Sequence, residues 1–120
     1  GAGEVDILVR KEDYPFSIIE ALNLSSISEA YISEHINKIY KYDTLGNSCN
    51  FIISYIKTGD FFNFWNKYLD FIKSFHYPFE LIEFMVPQEN QYPELKWAVT
   101  KLERNGILTT LYHIVIHIPS

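Results

Sequence analysis

A chain of 120 residues, 48% hydrophobic and 17% aromatic, is one domain's worth of sequence with enough apolar material for a packed core, which excludes an intrinsically disordered segment. A formal net charge of −5 weighs against strong, non-specific nucleic-acid binding through a basic surface. No apolar run approaches the ~20 residues of a bilayer span, no basic stretch leads into an apolar leader, and the lone Cys49 leaves no disulfide framework, so the expectation is a cytoplasmic domain without a membrane partner.

In chain order, residues 4–10 alternate as a strand does. Val5, Ile7 and Val9 point one way, and Asp6, Leu8 and Arg10 the other. The sequence has no initial Met and enters this strand almost at once, which reads as a domain cut from a longer protein. Lys11 to Pro15 is a polar connector ending in a turn signal, and Phe16 to Leu24 is a second apolar run, so the two strands form an antiparallel hairpin. Ser26 and Glu29 have capping-box spacing, and Ile32, Ile36, Ile39 and Tyr40 follow at helical spacing to about Tyr42.

Leu45-Gly46-Asn47 marks a turn, and Phe51 to Lys57 is a central strand, apolar on both faces. Asp60 is placed to cap a second helix whose wide stripe is Phe61, Phe64, Trp65, Tyr68, Ile72 and Phe75. The chain breaks around Pro78, and Leu81 to Val86 is a strand. Tyr92-Pro93 opens a third helix along Leu95, Val99 and Leu102, stopped at Asn105-Gly106. Ile107 to Ile118 is a long last strand. The order β-β-α-β-α-β-α-β predicts an α/β fold, a mixed β-sheet with flanking helices in a single domain over residues 1–120.

The chemistry concentrates in the hairpin. Glu20 sits inside Ile18-Ile19-Glu20-Ala21-Leu22, and Asp6 inside Val5-Asp6-Ile7-Leu8-Val9. A carboxylate in an apolar strand is costly unless it is paired, protonated or bound to a cation. If Arg10 faces Phe16 across the loop, Asp6 lands opposite Glu20, with Cβ atoms ~4.5–5.5 Å apart. Two such acids repel unless they share a proton or a metal, and oxygen ligands suit a hard divalent cation. Glu4 lies on the same face as Asp6 and is a further candidate ligand.

Gly3-Glu4-Val5-Asp6-Ile7-Leu8-Val9 followed by Phe16-Ser17-Ile18-Ile19-Glu20-Ala21 resembles the core of the restriction-endonuclease-like PD-(D/E)XK superfamily. The resemblance covers roughly residues 3–57. It implies a restriction-endonuclease-like core in which Asp6 and Glu20 bind Mg²⁺ or Mn²⁺, and a nuclease activity on DNA or other nucleic acid within a larger protein. The family places a Lys two residues after the second acid, where this chain has Leu22. The family's leading helix and first strand would be absent or lie upstream of this sequence. Some members move the Lys to a nearby element, and by position Lys38 on the following helix is the candidate. The implied catalytic set is therefore Asp6, Glu20 and Lys38, with Glu4 as an auxiliary metal ligand.

Plainer readings stand beside these. Asp6 and Glu20 could be two acids on a partly solvated sheet face, paired with Arg10 or Lys11. His35, beside Glu34 and Lys38, has a solvated helix face as its default. His113 and His117 have H-x-x-x-H spacing, but on a strand they lie ~13 Å apart at ~3.3 Å per residue, which excludes a shared metal and leaves a partly exposed face. Cys49 reads as a structural or surface thiol, and the aromatic helix as core. The other function classes are a catalytically silent interaction domain of the same ancestry, and an unrelated acidic α/β binding or immunity protein suited to a basic partner.

Overall fold

The computed structural model describes residues 7–11, 14–88 and 92–119. Strands β1 (Ile7–Lys11) and β2 (Tyr14–Leu24) are followed by helix α1 (Glu29–Tyr42), strand β3 (Cys49–Ile56) and helix α2 (Phe61–Ser74). Strands β4 (Glu80–Met85), β5 (Leu95–Arg104) and β6 (Ile107–His117) complete the chain. All six strands form one mixed sheet in the order β1-β2-β3-β6-β5-β4. The central strands β2, β3 and β6 run parallel to one another, and the hairpin β1–β2 and the meander β4–β5–β6 supply the antiparallel pairs.

The fold is α/β, as expected, with one element changed. The predicted third helix along Leu95, Val99 and Leu102 is strand β5. Its residues also alternate: Ala98, Thr100 and Leu102 point into the core, and Val99 pairs with Tyr112 on the other face. Asn105-Gly106 is not a helix stop but the two-residue turn of the β5–β6 hairpin. Both residues have positive φ, 50° and 82°. That is the requirement of a type I′ turn, which Asn-Gly meets most readily. The chain order is thus β-β-α-β-α-β-β-β.

Helix α1 buries Ile32, Ile36, Ile39 and Tyr40, the stripe read from the sequence, but its N-cap is Ser28, with no side-chain cap bond, and not Ser26. Helix α2 is capped as predicted, Asn63 N donating to Asp60 at 3.0 Å. It buries Phe61, Phe64, Trp65, Tyr68, Phe71 and Ile72, so the aromatic stripe is core. Both helices lie on the sheet face carrying Ile18, Leu22, Ile52, Leu111 and Val115, and these residues form one core cluster with them. The opposite face shows Ile19, Phe51, Ile53, Trp97, Tyr112 and Ile114, all half-buried. Phe51 stacks on Tyr112 at 5.1 Å between ring centroids.

The hairpin register carries the site. Ile7, Leu8 and Val9 face Ile19, Ile18 and Ser17, the offset that follows from setting Arg10 against Phe16. A bulge between Val9 and Arg10 then shifts the pairing by one, so Arg10 faces Pro15 and Lys11 faces Tyr14. The connector is two residues, not five. The bulge absorbs the difference, and the pairing beyond it keeps the expected offset.

Candidate functional site

Glu20 is fully buried on the helix-facing side of β2. It pairs in register with Ile52 of β3, with Ile18 and Leu22 on the same face in the core. An ionised carboxylate there needs partners, because the loss of hydration costs several kcal/mol. Helix α1 provides them. Its crossover returns the chain antiparallel over β2, so residues on the flank of the buried isoleucine stripe reach down beside Glu20. Lys38 Nζ lies 3.3 Å from Glu20 Oε1, and His35 Nδ1 lies 3.0 Å from the same oxygen. His35 and Lys38 are one helical turn apart, three residues, which puts both on one side of α1.

Burial is graded through this cluster. Glu20 is 0% exposed, His35 15% and Lys38 19%, so the carboxylate is at the bottom and the two donors reach the surface. Since a carboxylate only accepts, His35 donates to it through Nδ1–H. The His35 and Tyr31 rings meet in a T-shaped contact, with centroids 4.6 Å apart at 79°. A groove of about 380 Å³ along Glu34, Asn37, Lys38, Lys41 and Tyr42 opens beside the lysine. The solvated helix face expected for His35 is therefore corrected: it is an inner partner of Glu20. The described side-chain partners of Glu20 include Lys38 and His35.

Leu22, where the resembled family has its Lys, is fully buried in the core. Glu4 and Asp6 lie outside the described residues. Among the described residues no group of three or more His, Cys, Asp or Glu side chains converges as a metal cage. Glu20 is a hard oxygen donor of the kind Mg²⁺ and Mn²⁺ take, and its Oε1 accepts from His35 and Lys38.

A second buried carboxylate was not anticipated. Asp43, at the C-terminal end of α1, accepts the Asn47 backbone N–H at 2.9 Å and Asn50 Nδ2 at 3.1 Å. Asn50 Oδ1 accepts from Ile18 N at 2.9 Å, and Arg104 Nη1 donates to the Asp43 carbonyl. This network folds the 43–48 connection and ties it to β2 and β5. The Asp43 carboxylate accepts from the Asn47 backbone and the Asn50 side chain, and Asn47 Nδ2 donates to Asn50 Oδ1 at 3.2 Å. Asn50 stands just before the apolar run read from Phe51 and falls inside β3.

His113 and His117 do not share a site. His113 is fully buried, against the expected partly exposed face, and bonds Tyr68 Oη at 3.2 Å and Thr100 Oγ1 at 3.0 Å. Burial holds its pKa down to about 3, so it is neutral at physiological pH. His117, at the sheet's end, bonds the Thr58 carbonyl at 3.0 Å and the Glu94 carboxylate, and its ring stacks on Phe61. Cys49 is a half-buried free thiol beside Ser17 Oγ, 3.4 Å away.

No family model, curated protein or solved structure matches the chain. No helix among the described residues is long and apolar enough to cross a membrane.

Proposed function

We propose that this chain is a metal-dependent phosphodiesterase domain of restriction-endonuclease-like descent that hydrolyses nucleic acid as part of a larger protein. One observation carries the reading. The buried acid on the second strand of the N-terminal hairpin, which lacks the family's lysine two residues on, has a lysine 3.3 Å away on the next helix. That proximity supports the reading of Lys38 as the family's displaced lysine.

In this reading Glu20 holds a Mg²⁺ or Mn²⁺ ion, with Asp6 and Glu4 of the preceding segment as further oxygen ligands. When bound, such an ion lowers the pKa of a water and offsets charge growing on the phosphate oxygens. Lys38, at the rim beside the groove, orients that water or meets the phosphate charge. The buried apolar residues around Glu20 keep bulk water from its carboxylate and strengthen each of these interactions. Nucleic acid is the substrate class and Mg²⁺ or Mn²⁺ the cofactor.

A catalytically silent domain of the same descent is the second reading. It is favoured by Glu20 and Lys38 already forming a closed ion pair, a stable end state for a site that has lost its activity.

The deciding experiment compares the folded chain with Glu20→Gln and Lys38→Met on linear duplex and single-stranded substrates with Mg²⁺ or Mn²⁺. Cleavage by the parent that falls by ~10²–10⁴-fold in each variant supports the enzyme. Cleavage that survives Glu20→Gln overturns it, and a folded parent with no cleavage points to the silent domain.

A further inference from the structure

We infer that the sheet face opposite the helices is a self-association surface, on which a second copy of this chain stacks about a two-fold axis over Tyr112 and Ile114. The inference is independent of the nuclease reading.

Parallel strands of α/β folds are covered on both faces, and their two-sided apolar character reflects it. Here β2, β3 and β6 are parallel and apolar on both sides, yet both helices pack on one face. The strand registers set the residues of the other face in rows across the sheet. One row runs Ile7, Ile19, Phe51, Tyr112, Val99 and Met85. The next runs Ala21, Ile53, Ile114 and Trp97. Neither row carries a charged residue. Ile7 and Met85 are exposed, and apart from Val99 the others are half-buried. A centre rich in aromatics and free of charge has the make-up of a protein interface, and monomers rarely leave so broad an apolar patch in water.

Charge on this face lies at two corners. At one, β4 and β5 set Glu80 directly opposite Glu103, while Lys101 bonds Glu83 at 3.5 Å. Opposed like charges are destabilising and favour a cation nearby. At the other, Lys57 continues the line of Tyr55 past the end of β3. It is exposed and, among the described residues, in no ion pair. Tyr112 and Ile114 of β6 lie midway between the corners. A two-fold axis there sets each copy's Lys57 over the other's Glu80–Glu103 corner. A chain of net charge −5 thus meets itself through an uncharged centre and two complementary corners. A uniformly basic partner would instead be opposed by Lys57. Strands ~4.8 Å apart and same-face residues ~6.7 Å apart make the face ~24 by ~20 Å, so two copies bury ~1,000 Å², enough for a weak, reversible dimer.

The test is sedimentation equilibrium of the full chain from ~1 to ~200 µM, the range of a weak interface, with thermal unfolding of each variant as the folding control. The expectation is a reversible monomer–dimer equilibrium. Ile53→Lys, in a central row, and Tyr55→Lys, on a more exposed ring, each weaken it by at least ~10-fold. If Ile53→Lys does not fold, Tyr55→Lys carries this arm. Lys57→Glu and Glu103→Lys each weaken the dimer by ~3–10-fold, and together in one chain they restore it to within about threefold of the parent. A parent that is monomeric at ~200 µM overturns the inference and leaves the face to a different protein or domain. A dimer that survives the lysine substitutions overturns it, and so does a double reversal no stronger than the single ones.

Discussion

Two imidazoles four residues apart on β6 answer pH in opposite directions. His113 is held to about pH 3 by burial between Tyr68 and Thr100. Its unfolded-state value is the ordinary ~6.5. The unfolded chain therefore binds the extra proton first as pH falls. The stability linked to His113 is fully present above pH ~6.5 and is lost toward pH 3, by ~1.4 kcal/mol per pH unit. His117 has its pKa raised by the Thr58 carbonyl and then by Glu94. Both partners are acceptors, so only the doubly protonated ring satisfies both. Its contribution is present below pH ~6.5 and fades as pH rises through the folded-state value. Histidine NMR across pH 5–8 is expected to show His117 titrating above 6.5 and His113 silent. A His113 that titrates in that window contradicts the buried assignment.

Single residues were legible where chemistry clashed with pattern. Glu20 in an apolar strand announced a partnered acid, and Lys38 was reachable by position. His35 was not. On a helical wheel it sits among charged residues, and nothing local says that β2 passes beneath it. His113 was missed for the same reason, since Tyr68 and Thr100 come from elements 45 and 13 residues away. Alternation fixes which face a side chain takes, not how deeply that face is covered.

At the scale of elements, the hairpins and helices followed their local signals, and β5 did not. Leu95, Val99 and Leu102 fit a helical stripe, while Trp97, Val99 and Thr100 are strand formers, and both periods run through the same ten residues. Asn105-Gly106 decides between them, because a helix stop and a type I′ hairpin turn use the same residues. The long strand that follows makes the hairpin the consistent choice. Gly106, at φ 82°, occupies a conformation an L side chain resists. Gly106→Ala is expected to cost ~1–2 kcal/mol in thermal or denaturant unfolding and to leave Mn²⁺ binding unchanged. A neutral effect would mean that the turn relaxes to another type.

For the whole molecule, the sequence predicted the class and the single sheet, but not the place of each strand. Nothing in residues 107–118 says that the last strand inserts between β3 and β5 and not at an edge. Its two-sided apolar character is consistent with the centre, where Leu111 and Val115 pack under the helices and Tyr112 and Ile114 on the other face. The sheet depends on β6 to join its two halves. Ile52, fully buried and opposite His113 across the β3–β6 seam, tests this. Ile52→Ala is expected to cost ~2–5 kcal/mol as one cooperative transition. Separate melting of the β1–β3 and β4–β6 halves would show that the seam does not unify the domain.

The central place of β6 has a consequence for synthesis. Glu20, His35 and Lys38 all leave the ribosome within the first third of the chain, yet β3 waits for its second neighbour until residues 107–117 emerge. At 5–20 residues per second, the ~60 residues between β3 and its partner take roughly 3–12 s to translate. Through that interval β3 is an open edge in a half-built sheet, able to pair with another nascent chain. The site's residues are made early, but the sheet that supports them is completed by its last strand.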